Sequence, residues 1–382
     1  MKPNYCPYVH KGLRISFSER NGAFLNTCKP CCHVISEAFP NIPEEHHVDN
    51  ILQTQNLKYF QDYFDNNDDL PPACLTCQKL EDAGQISHRT RAISKENAYY
   101  DIYRFDIVIG NSCNLACPFC SSHASSLINV LSNKHLGEHV PEMWQPRSDV
   151  YDASFDKVEE AIFDILSKYK CQTIKVIGGE PFLKEHWTVF EKLLESGKLK
   201  DSTLEITTNG TIVNKRLLES LAKTKTTIIR TSIDSVGNNY NFIRWPYTFD
   251  KIFKNMKYIA DNKADNIEVR LSALVNVINF EHLPDIEEYL TPHQHANGDF
   301  TVSYETFIKP AGQSMDWRYL SKEIVDDVCS KLKNKGLVKL IQNESLFINT
   351  DKTTKTLKFL LKQRNMSAEE VFKPATREYL KL

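Results

Sequence analysis

Cys113-Asn114-Leu115-Ala116-Cys117-Pro118-Phe119-Cys120 places three thiols at spacings of four and three residues. On a helix they would form one buried stripe. Pro118 argues against that, because a helix-interior proline removes a backbone donor and costs about 3 kcal/mol. Just upstream, Phe105-Asp106-Ile107-Val108-Ile109 alternates apolar and polar residues and gives way to the turn-forming Gly110-Asn111-Ser112. The thiols therefore sit on a loop leaving a strand and converge on one point. Three convergent thiolates bind metal, and three rather than four leave a coordination position open.

The 382 residues suffice for two domains, or for one large domain with an appendage. A net charge of −2 gives no bulk attraction to phosphate backbones, so a nucleic-acid partner is not favoured. No apolar run approaches the ~18 residues of a membrane span, and no signal-peptide pattern opens the chain. The expectation is a cytoplasmic protein with no membrane partner. There are eleven cysteines, nine of them in the first 120 residues. In a cytosolic chain such clustering favours metal ligation over disulfides, and an odd total fits a closed disulfide framework poorly.

Residues 1–95 read as a cysteine-rich unit. Leu13, Ile15 and Phe17 alternate with polar residues, Asn21-Gly22 follows, and Ala23-Phe24-Leu25 resumes an apolar run, which predicts a β-hairpin. Cys6 precedes the hairpin; Cys28, Cys31 and Cys32 follow it. A helix is expected over 51–64, then Pro71-Pro72 breaks the chain before Cys74-Leu75-Thr76-Cys77. A CxxC knuckle after a hairpin knuckle is how small metal modules close a site. Cys28, Cys31 and Cys32 are too close together all to serve one site. Cys31 after Pro30 is the first choice, with Cys28 or Cys32 as the alternative.

From about residue 100 strands alternate with helices. Strands are expected over 104–109, 172–177, 203–208, 227–233, 267–274 and 299–304, and helices over 121–132, 184–196, 214–222, 249–261 and 281–289. That alternation predicts an α/β fold with a parallel sheet, either a partial (β/α)6 barrel or an open wound sheet, with its ligand site at the carboxyl ends of the strands. The cysteine loop lies at that end. So do Gly178-Gly179-Glu180-Pro181, Asn209-Gly210-Thr211 and Ser232-Ile233-Asp234-Ser235. Glycines at 178 and 179 bare the backbone for a ligand, Glu180 adds an acceptor, and Pro181 suits a first helical turn. Taken singly, each is an ordinary turn; together they make one polar rim.

No P-loop or Gly-x-Gly-x-x-Gly pattern is present. His293 and His295, and Glu44-Glu45-His46-His47, read as solvated loops. Cys329, on the stripe of Val325, Val328 and Leu332, reads as core, as does Cys171 at a strand start. Residues 306–382 read as a mixed helical extension, with Tyr304, Glu305 and Lys309 placed near the expected barrel mouth.

Cys113-x3-Cys117-x2-Cys120, with Phe119 before the last cysteine, resembles the signature of the radical S-adenosylmethionine (radical SAM) superfamily. Gly178-Gly179-Glu180-Pro181 is similar to its SAM-binding segment. Thr207-Thr208-Asn209-Gly210-Thr211 and Thr231-Ser232-Ile233-Asp234-Ser235 are similar to its nucleoside-lining stretches. The resemblance spans about 104–305. Cys6…Pro30-Cys31-Cys32…Cys74-x2-Cys77 resembles a twitch module, a shortened relative of SPASM, here ahead of the barrel.

The resemblance implies that Cys113, Cys117 and Cys120 hold a [4Fe-4S] cluster whose fourth iron takes the methionine of S-adenosylmethionine. It further implies Gly178, Gly179, Glu180 and Pro181 around the methionine amino group, Asn209 and Ser232 at the ribose, Asp234 beside them, and Arg244 at the SAM carboxylate or the substrate. Cys6, Cys31, Cys74 and Cys77 would hold one auxiliary iron–sulfur cluster, and a flavodoxin or ferredoxin would donate electrons. The expected organisation is an auxiliary-cluster module at 1–95, a radical SAM partial barrel at 96–305 and a C-terminal extension at 306–382 that covers the mouth. The expected reaction is hydrogen abstraction from a peptide or peptidyl group, leading to epimerisation or cross-linking. A small molecule, sugar, nucleotide or RNA base is the alternative substrate. A zinc-stabilised binding protein is the competing non-enzyme reading.

Overall fold

The computed structural model describes residues 5–20, 23–32, 34, 52, 54–82, 84, 86–145, 154–295, 301–306, 314–347 and 349–382. The chain divides into two compact units: Met1–Gly110 with Ser148–Ile206 and Glu219–Ile228, and Asn111–Arg147 with Thr207–Leu218 and Ile229–Leu382.

The first unit opens with helix α1 (Pro7–Lys11) and the strands β1 (Gly12–Arg20) and β2 (Ala23–Lys29). These two pair antiparallel, Arg20 opposite Ala23, as the expected hairpin requires; its Asn21-Gly22 turn lies outside the described residues, as do Glu44-Glu45-His46-His47 and Lys309. Helices α2 (Gln55–Asn66), α3 (Leu75–Asp82) and α4 (His88–Lys95) follow. Phe60, Phe64, Tyr8, Val9 and Ala92 bury a small core with Tyr103 of β3 (Ile102–Val108). β1 also pairs parallel with β3, Arg14 opposite Asp106, so the hairpin extends the sheet that follows it.

Strands β4 (Cys171–Ile177) and β5 (Thr203–Thr208) continue the parallel pairing, giving the order β2-β1-β3-β4-β5. Period-two alternation sorts their side chains. Leu13, Ile15, Phe105, Ile107, Ile174, Val176, Leu204 and Ile206 are buried on one face, each contributing about 1.5–3 kcal/mol of transfer free energy. The opposite face carries Arg14, Arg104, Asp106, Lys175 and Glu205.

After β3 the second unit takes over with α5 (Ser126–Lys134). A helix was expected from 121, but Ser125 halts it there: its Oγ accepts from the Ile128 amide as an N-cap and donates to Leu115 O at 2.7 Å. Back in the first unit, helix α6 (Phe155–Lys168) has no counterpart among the expected helices, and α7 (Lys184–Glu195) follows β4. Val158, Ala161, Ile162 and Ile165 of α6 are buried at helical spacing.

α8 (Lys215–Leu221) and β6 (Thr226–Ser232) straddle the unit boundary. The second unit then holds α9 (Gly237–Ile243), α10 (Phe249–Asn262), β7 (Ile267–Val275), α11 (Leu283–His295) and β8 (Thr301–Thr306), in the strand order β6-β7-β8 with β7 and β8 parallel. His293 is not in a loop as expected. α11 continues through Pro292, and the His293 ring packs 5.0 Å from Phe253 beside Tyr289.

The C-terminal residues form α12 (Lys322–Lys331), α13 (Lys335–Gln342), α14 (Asp351–Arg364), α15 (Ala368–Val371) and α16 (Pro374–Tyr379). Cys329 is buried on α12 and Cys171 at the start of β4, both as core residues. Among the described residues no helix is long and apolar enough to cross a membrane.

Candidate active site

The cysteine loop is held by side chains of its own unit. Ser126 Oγ accepts from the Cys113 amide at 3.1 Å. Ala116 N donates to Trp245 O at 2.9 Å, and Trp144 Nε1 donates to Cys117 O at 3.3 Å. The Cys120 amide closes a turn on Cys117 O at 3.0 Å, which is the geometry Pro118 permits and a helix would not. Cys117 and Phe119 are buried; Cys113 and Cys120 are partly open.

Two N–H donors point at the sulfurs. Arg244 Nη1 lies 3.5 Å from Cys117 Sγ, and Asn209 Nδ2 lies 3.8 Å from Cys113 Sγ. Burial pushes the Cys117 thiol up, while Arg244 draws it back toward ionisation. Arg244 is itself fixed by Asp234, whose Oδ2 accepts from Nε at 2.6 Å. Asp234 Oδ1 accepts from Leu274 N at 2.8 Å, and Asn279 Nδ2 donates to Asp234 O at 2.6 Å. The Arg244 guanidinium also stands 5.7 Å from the Phe119 ring centroid.

Asn209 is equally tied: its Nδ2 donates to Asn114 Oδ1 at 2.8 Å, and its Oδ1 accepts from Thr211 N and Oγ1 at 2.9 and 2.7 Å. Ser232 ends β6, two residues before Asp234, with a partly open side chain. Thus Cys113, Cys117, Cys120, Phe119, Asn209, Asp234 and Arg244 form one connected constellation in the second unit.

Gly178-Gly179-Glu180-Pro181 lies in the first unit, after β4. Gly178 (φ 91°) and Gly179 (φ 53°) both occupy left-handed backbone. A Cβ on Gly178 would meet Val108 Cγ1 at 2.6 Å and Gly110 O at 2.9 Å, so packing against the end of β3 alone requires glycine there. Glu180 is fully buried; its Oε1 accepts from Phe182 N at 3.0 Å and its carbonyl pairs with His186 Nδ1 at 2.8 Å.

The N-terminal thiols gather as well. Cys6, Cys31, Cys32, Cys74, Cys77, His88 and Arg89 line one cavity of the first unit. Cys28 instead sits buried on β2 opposite Ile15. The backbone amides of Val9 and Tyr8 favour the Cys6 thiolate, and that of Arg89 the Cys77 thiolate, against the larger effect of burial. Burial, then the neighbouring Cys6 and Cys77, push the Cys74 thiol up to about 12, and burial above all pushes Cys6 up to about 11.

Neutral thiols so crowded ionise only when a metal takes their protons' place. Among the described residues no three His, Cys, Asp or Glu side chains close on a single ion. A cubane needs no such closure, since each thiolate binds its own iron. The three thiols of Cys113, Cys117 and Cys120, with N–H groups directed at two of them, fit the ligand set of a [4Fe-4S] cluster.

A third feature was not foreseen from the sequence. Arg14, Asp106, Lys175 and Glu205 are register partners across β1, β3, β4 and β5, forming a row of alternating charge. Arg104 bridges it, with Nε 2.7 Å from Asp106 Oδ1 and Nη1 3.1 Å from Glu205 Oε2. Strand alternation was visible; the cross-strand register that aligns these charges was not.

Residues 107–290 match the family model of the radical SAM superfamily. The chain is 24% identical over 200 residues to the radical SAM cyclopropyl synthase TigE of Paramaledivibacter caminithermalis, covering 51% of this chain and 40% of that protein. It is 24% identical over 192 residues to a probable GTP 3′,8-cyclase of Methanocaldococcus jannaschii, covering 50% and 55%. The chain thus spans about half the length of these curated relatives. Streptococcus suis SuiB bound to S-adenosylmethionine superposes with a TM-score of 0.41 at 15% identity, covering 78% of this chain and 58% of that one. Residues 107–290 therefore resemble a radical SAM superfamily domain, a match that favours an enzyme over a zinc-stabilised binding protein.

Proposed function

We propose that the protein is a radical SAM enzyme that abstracts hydrogen from a peptide or peptidyl substrate. The observation that carries the chemistry is the Cys113–Cys120 turn, with Arg244 and Asn209 directed at two of its three sulfurs. A reduced [4Fe-4S] cluster held there would supply the one-electron reduction of S-adenosylmethionine on which hydrogen abstraction depends. Cys113, Cys117 and Cys120 would be its ligands. Arg244 and Asn209 donate to thiolate sulfur, stabilising negative charge on the ligands in a water-poor loop. Asp234 holds the Arg244 fork in place, which directs that residue to the cluster ligands rather than to a SAM carboxylate. Gly178, Gly179, Glu180 and Pro181 would seat the methionine end of S-adenosylmethionine, and Ser232 its ribose.

Residues 1–95 are proposed as the auxiliary-cluster module, 96–305 as the partial barrel and 306–382 as its extension. Cys6, Cys74 and Cys77 with Cys31 would ligate the auxiliary cluster; Cys32 and His88, on the same cavity, are the alternative fourth ligands. Four thiolates would close its coordination and suit it to electron transfer. A flavodoxin or ferredoxin would supply the reducing electron, and a cytoplasmic location suits so oxygen-sensitive a pair. The twitch resemblance, supported by the gathered thiols, favours a peptide. A nucleotide substrate is the second reading, favoured by the relative named as a GTP 3′,8-cyclase.

Anaerobic metal analysis followed by a SAM-cleavage assay tests the chemistry. Iron with sulfide and 5′-deoxyadenosine formation is the expected result; stoichiometric zinc with no cleavage after reconstitution would falsify it. Incubation with carbon-deuterated GTP or with carbon-deuterated candidate precursor peptides separates the substrates, deuterium appearing in 5′-deoxyadenosine only with the true one.

A further inference from the structure

Arg364 ends α14, in a segment outside the matched residues 107–290 and without recognisable chemistry in the sequence. Its side chain is buried at 6% exposure, on the same helix stripe as Thr353, Leu357 and Leu360. Asn365 follows in left-handed backbone (φ 53°) and terminates the helix there. Nη2 donates to Ala116 O at 2.6 Å, and Nη1 donates to Phe242 O. The guanidinium lies 4.6 Å from the Phe242 ring centroid, and Nε has no hydrogen-bond partner. Both acceptors are carbonyls. Burial pulls the guanidinium's pKa down, and the Cys117 sulfur is the group that raises it again.

Arg244 and Arg364 therefore differ in kind. Arg244 is neutralised by Asp234. Arg364 is a buried cation bonded to neutral groups, and such a charge is strongly unfavourable unless something compensates it. An iron–sulfur core held by three thiolates is anionic, and reduction adds a further negative charge. The residue before Cys117 is the one that Arg364 grips.

We propose that Arg364 is a positioning residue whose guanidinium finds its counter-charge in the cluster held by Cys113, Cys117 and Cys120, fixing the loop at Ala116 and raising the cluster's reduction potential. This rests on the proposed function. The C-terminal segment, in this reading, contributes charge to the reaction centre.

The test is an EPR-monitored redox titration of the reconstituted full-length protein, wild type against Arg364→Met and Arg364→Lys at matched iron content. Arg364→Met should lower the potential so that the reduced form is at least tenfold scarcer at a fixed poise, a shift of about 59 mV for one electron. Arg364→Lys keeps the charge and should stay within that interval. The cluster-free Arg364→Met protein should melt no lower than cluster-free wild type, since it has lost an uncompensated buried charge. An unmoved potential in Arg364→Met overturns the proposal, as does an equal drop in both variants. Failure of Arg364→Met to fold assigns the residue to packing alone and overturns it too. A preparation that takes up no iron and cleaves no S-adenosylmethionine defeats the proposed function itself; an iron-loaded protein with an unmoved potential defeats only this inference.

Discussion

Arg244 Nη1 stands 3.5 Å from Cys117 Sγ while Nε of the same guanidinium donates to Asp234 Oδ2 at 2.6 Å. The aspartate is pinned in turn by Leu274 N and Asn279 Nδ2, at the end of β7 and just beyond it. A chain of charge-assisted bonds thus runs from strand ends to sulfur. Asp234 and Arg244 read from the sequence as ligand contacts; in the structure they contact one another, and Arg244 contacts the cysteine loop.

Removing one thiol tests the assignment most directly. Cys117→Ala should abolish SAM cleavage, measured as 5′-deoxyadenosine by liquid chromatography. Full activity in that variant would make the site assignment wrong. Cys74→Ala should instead retain some uncoupled cleavage and yield no modified product.

Two clusters imply about eight irons per chain with matching sulfide. Cys6→Ala should lower the iron content by about half while sparing the Cys113 cluster, visible as the surviving SAM-perturbed EPR signal. A wild-type iron count in that variant would remove the N-terminal thiols from metal binding.

Gly178→Ala should destabilise the fold independently of any ligand. Its Cβ would lie 2.6 Å from Val108 Cγ1 and 2.9 Å from Gly110 O, at a φ of 91°. Overpacking with left-handed strain costs about 1–3 kcal/mol, read as a lower urea midpoint of the cluster-free protein. An unchanged midpoint would return the glycine to a purely ligand-facing role.

The charged row predicts asymmetry between its members. Asp106 is 3% exposed and has Arg104 Nε at 2.7 Å, with Arg14 also within ion-pair range. Asp106→Ala removes the closer carboxylate from buried Arg104 and leaves it Glu205 alone, and should cost about 3 kcal/mol. Lys175, more open and 3.7 Å from Glu205, should cost under 1 kcal/mol as Lys175→Met. Equal losses in chemical denaturation would deny the row its buried character.

Acid should loosen the C-terminal helices first. Half-buried Asp285 is raised by desolvation but held below its ordinary value by hydrogen bonds from His282 and Lys373. A depressed carboxylate contributes stability that is present above its unfolded pKa and lost as pH falls through the folded one. Below about pH 4, hydrogen exchange in 366–382 should accelerate; Asp285→Asn should show that rate already at neutral pH.

Much of this was legible from local pattern. Every strand expected from 104 onward is present to within two residues at each end, because alternation and turn chemistry are properties of neighbours in the chain. The same locality explains the omissions. α6 does carry Val158, Ala161, Ile162 and Ile165 at helical spacing, but these are interleaved with Glu159, Glu160 and Asp164, which dilutes the signal. Arg364, in the last turn of a helix, reads as a solvated cation complementing the dipole. Only tertiary packing turns it inward, and its partner is 248 positions away.

That separation governs when the molecule can be finished. The carbonyl of Ala116 waits for its partner until translation has passed residue 364, so a ribosome-bound chain presents its thiol turn without one of its braces. Iron–sulfur delivery to a fully braced turn would therefore have to follow synthesis of residue 364. A chain truncated between Cys329 and Arg364 would keep all eleven thiols and an unbraced turn.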